Sequence, residues 1–206
     1  MKKVLIYLFL FFFLFSKIFA LSLEDIKNAY YTSYKYEVAG DYKDAIRSLM
    51  IIYNNYPNGY TVNLRLGWLY YLNKNYSNSI FHYKKAIKVA PYSVEAKLGL
   101  TLPLLAQGKY SSVEKLCYQI LNQDFYNYYG NLKLVYVLRK QKKYDLAEKV
   151  INKMLYLYPT DTNFLLELGI LKFEKREFNN AKRILNDVLI LDPENLKAKH
   201  YLKLLK

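Results

Sequence analysis

Few residues in this chain are of the kinds that do covalent or acid–base chemistry, and their spacing is against it. There is one cysteine, Cys117, and there are two histidines, His82 and His200. A cysteine nucleophile needs a base beside it, and a structural zinc site needs three or four clustered His or Cys ligands. The sequence offers neither spacing. It has no nucleophile elbow, phosphate loop or metalloprotease helix motif either. Scattered acids such as Glu24, Asp25 and Glu37 read as solvated helix-surface residues. No catalytic, cofactor-binding or metal-binding residue is expected, and the chain reads as non-enzymatic. Cys117 reads as a small core residue. The abundant chemistry is that of recognition: 24 Tyr, 11 Phe and one Trp accompany 31 basic residues. Aromatic residues and arginine carry most of the energy at protein interfaces.

The elements that would position these aromatics follow from an internal period. Pro57, Pro91, Pro159 and Pro193 lie on one 34-residue grid whose missing tick is Phe125. Tyr42, Tyr76, Tyr110, Tyr144 and Phe178 repeat at the same spacing, each followed three residues later by Ala45, Ser79, Val113, Ala147 or Ala181. With aromatics at 17% of the chain, five hits at one phase arise by chance on the order of once in ten thousand per phase. Each unit reads as two helices. Leu66, Leu69 and Tyr70 form one buried stripe, and Tyr76, Ile80, Tyr83 and Ile87 form a second after Asn73-Lys74-Asn75. Gly40 and Gly108 stand in the turns between the paired helices, where a left-handed backbone is cheap for glycine. Proline closes each unit, and Asp192-Pro193-Glu194 reads as cap, proline and acid at a helix start. Ser22 with Asp25 reads as a capping pair opening the first helix. Pro103 should bend its helix by removing the bond to Gly99.

From Ile26 to Asn195 the chain resembles the tetratricopeptide repeat family. Its Leu-Gly-x-x-Tyr signature is present as Leu66-Gly67 with Tyr70, and its first half as Leu168-Gly169. Departures are Thr32-Ser33 in the first unit, Thr101, Pro103, Val113 and Cys117 in the third, and Val135 in the fourth. The resemblance implies an all-α, right-handed superhelical solenoid of five helix-turn-helix repeats at 26–59, 60–93, 94–127, 128–161 and 162–195. A Lys-rich capping helix at 196–206, with Leu202 and Leu205 on one side, would then cover the last repeat.

The resemblance also implies that the first helix of each unit lines a concave groove. The implied lining is Tyr30, Tyr34, Leu64, Arg65, Trp68, Tyr71, Leu98, Leu102, Leu105, Tyr129, Leu132, Tyr136, Arg139, Leu166, Ile170 and Phe173. An apolar patch of that extent marks a binding surface, so the expected partner is a protein or peptide with apolar anchors, docked as a helix or extended segment. Self-association or internal burial of these residues is the alternative. The charged clamp used by some family members for chaperone C-termini is absent, since its positions are Tyr30, Tyr34, Glu95 and Gly99.

The N-terminus adds a compartment. Lys2 and Lys3, the apolar run Val4 to Phe15, and Ala20 form a Sec-type leader, with cleavage expected before Leu21. That divides the chain into a signal peptide at 1–20 and a repeat domain at 21–206. The expected location is periplasmic or secreted, with envelope or secretion machinery as the partner's setting. The alternative is an uncleaved membrane anchor from Val4 to Leu23. Net charge is +14, and losing the leader with Lys2, Lys3 and Lys17 leaves +11. Such a field favours polyanions, cell-wall glycan or a membrane surface, the alternative to groove binding. Yet 26 of the 31 basic residues are lysine, which fits a compositional bias on a solvated surface. The run Arg139-Lys140-Gln141-Lys142-Lys143 reads as a solvated turn. Nucleic acid is not an expected partner, because the leader argues against it and no base-reading pattern accompanies the period.

Overall fold

The computed structural model describes residues 21–205, and over them the chain is a stack of α-helices. The helices are α1 (Leu23–Val38), α2 (Tyr42–Asn55), α3 (Tyr60–Leu72), α4 (Tyr76–Val89), α5 (Val94–Ala106), α6 (Tyr110–Leu121), α7 (Tyr128–Lys140), α8 (Tyr144–Leu157), α9 (Thr162–Glu174), α10 (Phe178–Leu191) and α11 (Leu196–Leu204). Contacts run between neighbours along this order, as in a solenoid, and the described residues contain no strand. No described helix is long and apolar enough to cross a membrane. The leader and its cleavage point before Leu21 lie outside the described residues.

The 34-residue grid has a direct structural meaning. Tyr42, Tyr76, Tyr110, Tyr144 and Phe178 are each the first residue of the second helix in a pair. Ala45, Ser79, Val113, Ala147 and Ala181, three residues on, are fully buried. A small residue is needed there because two helices approach closely. The turn inside each pair places residues 40, 74, 108, 142 and 176 at positive φ. Gly40 and Gly108 occupy it at 80° and 66°, while Lys74, Lys142 and Arg176 accept 58–63°. A longer side chain tolerates that region at a modest cost, so glycine is preferred there without being required.

The capping residues correct one expectation. Asp192 ends α10, and the cap of α11 is Asn195, whose side chain accepts from the Ala198 N–H at 3.0 Å. The same place, two residues past each proline tick, holds Gly59, Ser93, Asn127 and Asp161. Proline ends one helix, and the next begins only after a one-residue link and a cap. Ser22 and Asp25 do form a reciprocal capping box on α1.

The turn carbonyls at the proline ticks are clamped from inside. Asn63 Nδ2 and Lys85 Nζ both donate to the Pro57 carbonyl, at 2.9 and 3.0 Å. Asn131 and Lys153 do the same for Phe125, at 3.1 and 3.0 Å. In the unit between, Lys97 is buried where the asparagine would stand. With the Gln123 amide oriented so that both its ends are satisfied, Lys97 Nζ donates to the Gln123 oxygen at 2.6 Å and the Gln123 nitrogen donates to the Tyr92 carbonyl at 2.7 Å. Where the closing proline is missing, α6 stops at 12 residues against 14 for the other second helices. Pro103 is buried inside α5, which runs on through it to Ala106.

Candidate binding groove

The first helices α1, α3, α5, α7 and α9 each bury one side and leave another, the expected inner row, less covered. On α3, Leu66 and Leu69 are fully buried, while Leu64, Arg65, Trp68 and Tyr71 are only partly covered. Arg65 is ion-paired to Glu37 of α1, and the other carboxylate oxygen of Glu37 accepts from Trp68 Nε1 at 2.7 Å. Trp68 then packs against Tyr71 with ring centroids 5.7 Å apart. The tryptophan is therefore fixed in place, partly exposed, and held by a polar contact at its far end.

Two depressions open along this inner row. One, of about 270 Å³, is lined by Leu64, Arg65, Trp68, Tyr83, Glu95, Gly99 and Leu102. The other, of about 250 Å³, lies between α5, α7, α9 and α11 and is lined by Leu105, Leu132, Lys133, Tyr136, Asn163, Leu166, Glu167 and Lys197. Of the sequence-expected residues, Leu64, Arg65, Trp68 and Leu102 meet in the first, and Leu105, Leu132, Tyr136 and Leu166 line the second. Tyr30, Tyr71 and Leu98 are partly covered and line neither. Tyr34 and Tyr129 are 58% and 61% exposed and also stand outside both depressions. In the second depression, burial holds the Lys133 ammonium below its ordinary pKa.

Three expected groove residues are elsewhere, and a fourth, Leu166, borders the second depression but is buried. Arg139 is 4% exposed, with Nε donating to Glu167 at 2.9 Å and Nη1 paired to Glu174. Two carboxylates of α9 draw the guanidinium into the α7–α9 contact, where it is satisfied as a fork rather than presented to a ligand. Leu166 and Ile170 are buried beneath Ala198 and Leu202 of α11, and Phe173 meets Tyr201 edge-on at 5.2 Å. The last helix thus closes the C-terminal end of the inner row. The basic turn is partly neutralised too, since Gln141 and Lys143 both donate to Glu114, at 2.8–2.9 Å.

Glu37 is the residue most misjudged by sequence. It reads as a solvated acid, yet it organises Arg65 and Trp68. A signal was available: Glu37, Tyr71, Leu105, Arg139 and Phe173 stand on one 34-residue tick. Tyr83, Glu95 and Lys133 also line the depressions, although none of them is in the expected groove lining. Cys117 is fully buried and burial pushes its thiol up to about 12, so it is an unreactive thiol at neutral pH. His82 is buried, stacked on Tyr70, with Nδ1 2.9 Å from Asn63 Oδ1.

Comparison with known proteins gives this arrangement its family. Residues 60–93, the unit built on α3 and α4, match the tetratricopeptide repeat model. One unit of the chain is thus a tetratricopeptide repeat in sequence, and the described chain has the tetratricopeptide fold. No curated protein matches it in sequence. Solved structures share the tetratricopeptide fold at low identity. A tetratricopeptide repeat protein from Parabacteroides merdae superposes with a TM-score of 0.80 at 15% identity, covering 88% of this chain and 72% of its own. MamA from Desulfovibrio magneticus gives 0.74 at 15%, covering 86% and 99%. PilW, described as a type IV pilus biogenesis factor, gives 0.68 at 16%, covering 88% and 91%.

Proposed function

We propose that this chain is a non-enzymatic scaffold of the cell envelope or periplasm that holds a peptide or helix of a partner protein by apolar anchors in its concave groove. The observation that carries the reading is the inner row from α3 to α7. Trp68, Leu98, Leu102, Leu105, Leu132 and Tyr136 stand where a surface meeting only water would be polar, and all are partly exposed. Depressions of about 250–270 Å³ between them are the size of single large side chains or small clusters. Such central, half-desolvated aromatic and aliphatic positions are where binding energy concentrates. The N-terminal leader supports an exported setting, and likeness in fold to a pilus biogenesis factor agrees with it. Intact mass of the cellular protein checks export: a chain starting at Leu21 is expected, and one retaining Met1 in membranes would contradict cleavage.

A second reading has its own observation. Away from the groove, Tyr118, Leu121, Phe125, Leu134, Val150, Lys149 and Lys153 surround a depression of about 280 Å³ containing no carboxylate. Lys153 sits 3.9 Å above the Phe125 ring, and Tyr156 nearby in sequence is 86% exposed. An anionic surface would suit that side. Salt separates the two, because exposed charge pairing is screened at a Debye length near 8 Å in physiological salt whereas apolar docking is not. On the groove reading, Leu102→Asp and Tyr136→Ala each weaken partner affinity by about 2 kcal/mol or more with little salt dependence. Affinity that survives both changes and collapses with salt would favour the anionic surface.

A further inference from the structure

One residue in the groove comes from the wrong layer. Tyr83 belongs to α4, a second helix, and is 3% exposed. Its ring crosses beneath both neighbouring first helices. A Cβ on Gly67 of α3 would fall 2.8 Å from its Cγ, and one on Gly99 of α5 would fall 2.3 Å from Cε1 and 2.7 Å from Cζ. These approaches fix the direction of the ring, with its root under α3 and its hydroxyl end at α5. Gly99 stands 34 residues after Arg65 and 34 before Lys133, on an inner-row position. Its missing side chain admits the Tyr83 hydroxyl end to the 270 Å³ depression. Among the described residues that hydroxyl has no hydrogen-bond partner, and its charged neighbours are Arg65 and Glu95.

The charges around it are unequal. Arg65 is neutralised by Glu37, whose second oxygen is taken by Trp68. Glu95 is exposed and makes no ion pair among the described residues; it accepts only the Tyr60 hydroxyl, at 3.1 Å. The notch is thus locally acidic in a chain of net charge +14. Its walls, Leu64, Trp68 and Leu102, are apolar. An acidic side chain would meet Glu95, and a purely apolar one would strip water from Glu95 and the phenol without replacing it.

We propose that this notch takes a lysine or arginine side chain of the groove's protein ligand. The aliphatic stem lies between Leu64, Trp68 and Leu102, and the cationic head lies between the Glu95 carboxylate and the Tyr83 oxygen. Long basic side chains combine these two needs, an apolar stem and a charged tip, and hydrogen bonds from a cation to a carboxylate are the stronger kind. Burial raises the Tyr83 phenol pKa, so its oxygen is a neutral acceptor at physiological pH. The assignment rests on the groove reading but can fail without it.

Titration with n-butylguanidinium, followed by NMR at the Trp68 indole N–H and the Gly99 amide, tests it. Saturable shifts are expected with the cation and not with pentanoate or pentanol. Glu95→Gln should weaken the cation about tenfold, the loss of a charge-assisted contact. Tyr83→Phe keeps the ring between the glycines and should weaken it severalfold at an unchanged melting temperature. Saturation by pentanoate at least as tight as by the cation would overturn the assignment, as would unchanged cation affinity in Glu95→Gln. Either result, with partner binding still lost in Leu102→Asp and Tyr136→Ala, removes the notch and leaves the groove. Partner binding intact in those two variants removes the groove reading itself.

Discussion

His82 shows how a side chain that could titrate is put to structural use. Desolvation, with Lys85 nearby, pushes its imidazole down to about 4. Tyr53, Tyr70 and Phe81 surround the ring at 5.0–5.3 Å between centroids, and Asn63 holds Nδ1. The unfolded chain has an ordinary imidazole near 6.5. Between these values the unfolded state binds more protons than the folded one, so stability rises with pH there. The contribution is fully present above about pH 6.5 and is lost as pH falls toward 4. The unfolding free energy of the native chain should therefore fall, relative to His82→Gln, with a slope approaching one proton between pH 6.5 and 4.5. A difference independent of pH over that window would mean the imidazole is accessible to protonation in the folded state. Sequence could show that His82 lacked a catalytic partner. It could not show the stack on Tyr70, because residues 70 and 82 meet only when α3 and α4 pack.

At the scale of elements, the period was legible and its ends were not. Aromatic ticks at 42, 76, 110, 144 and 178 fall on helix starts, the first four partly buried and Phe178 49% exposed. The proline grid marks where helices stop, but the cap that starts the next helix stands two residues later. Ser93, Asn127, Asp161 and Asn195 already form that pattern in sequence. That α11 would cover the last repeat was legible in its Lys-rich amphipathic pattern; which inner-row residues it covers was not. Leu166 and Ile170 have the same spacing and character as open groove positions, and only the packing of α11 covers them. Ending the chain before Leu196 should uncover Leu166, Ile170, Leu185 and Val188, which now contact α11 or lie in its cluster. At about 1.5–3 kcal/mol for each large apolar side chain returned to water, the loss should be about 3 kcal/mol or more. Urea unfolding measures it. An unchanged midpoint would mean that α11 is not part of the stack's stability.

Across the whole molecule, the irregular units are where the two possible surfaces lie. The third unit has lost its closing proline, carries Gly99 at an inner-row position and ends α6 early. Gly99 opens the inner notch, and the shortened α6 borders the depression around Phe125 on the other side. A solenoid distributes stability among neighbouring contacts, so departures from the repeat in one unit can be spent on recognition without dismantling the rest. Arg139 argues the reverse case: a residue that looks like recognition chemistry is used to join α7 to α9.

The central claim is that partners dock on the inner row, and site-specific photo-crosslinking in cells tests it most directly. A photoreactive residue is placed singly at Leu98, Leu102 and Tyr136 on the inner row, and at Phe81, Tyr156 and Ile190 on the second helices, which are 50%, 86% and 77% exposed. The expected result is one shared protein adduct from the inner positions and none of that mass from the outer three, despite their greater exposure. The same adduct arising from Phe81, Tyr156 or Ile190, with the inner positions silent, would contradict the account.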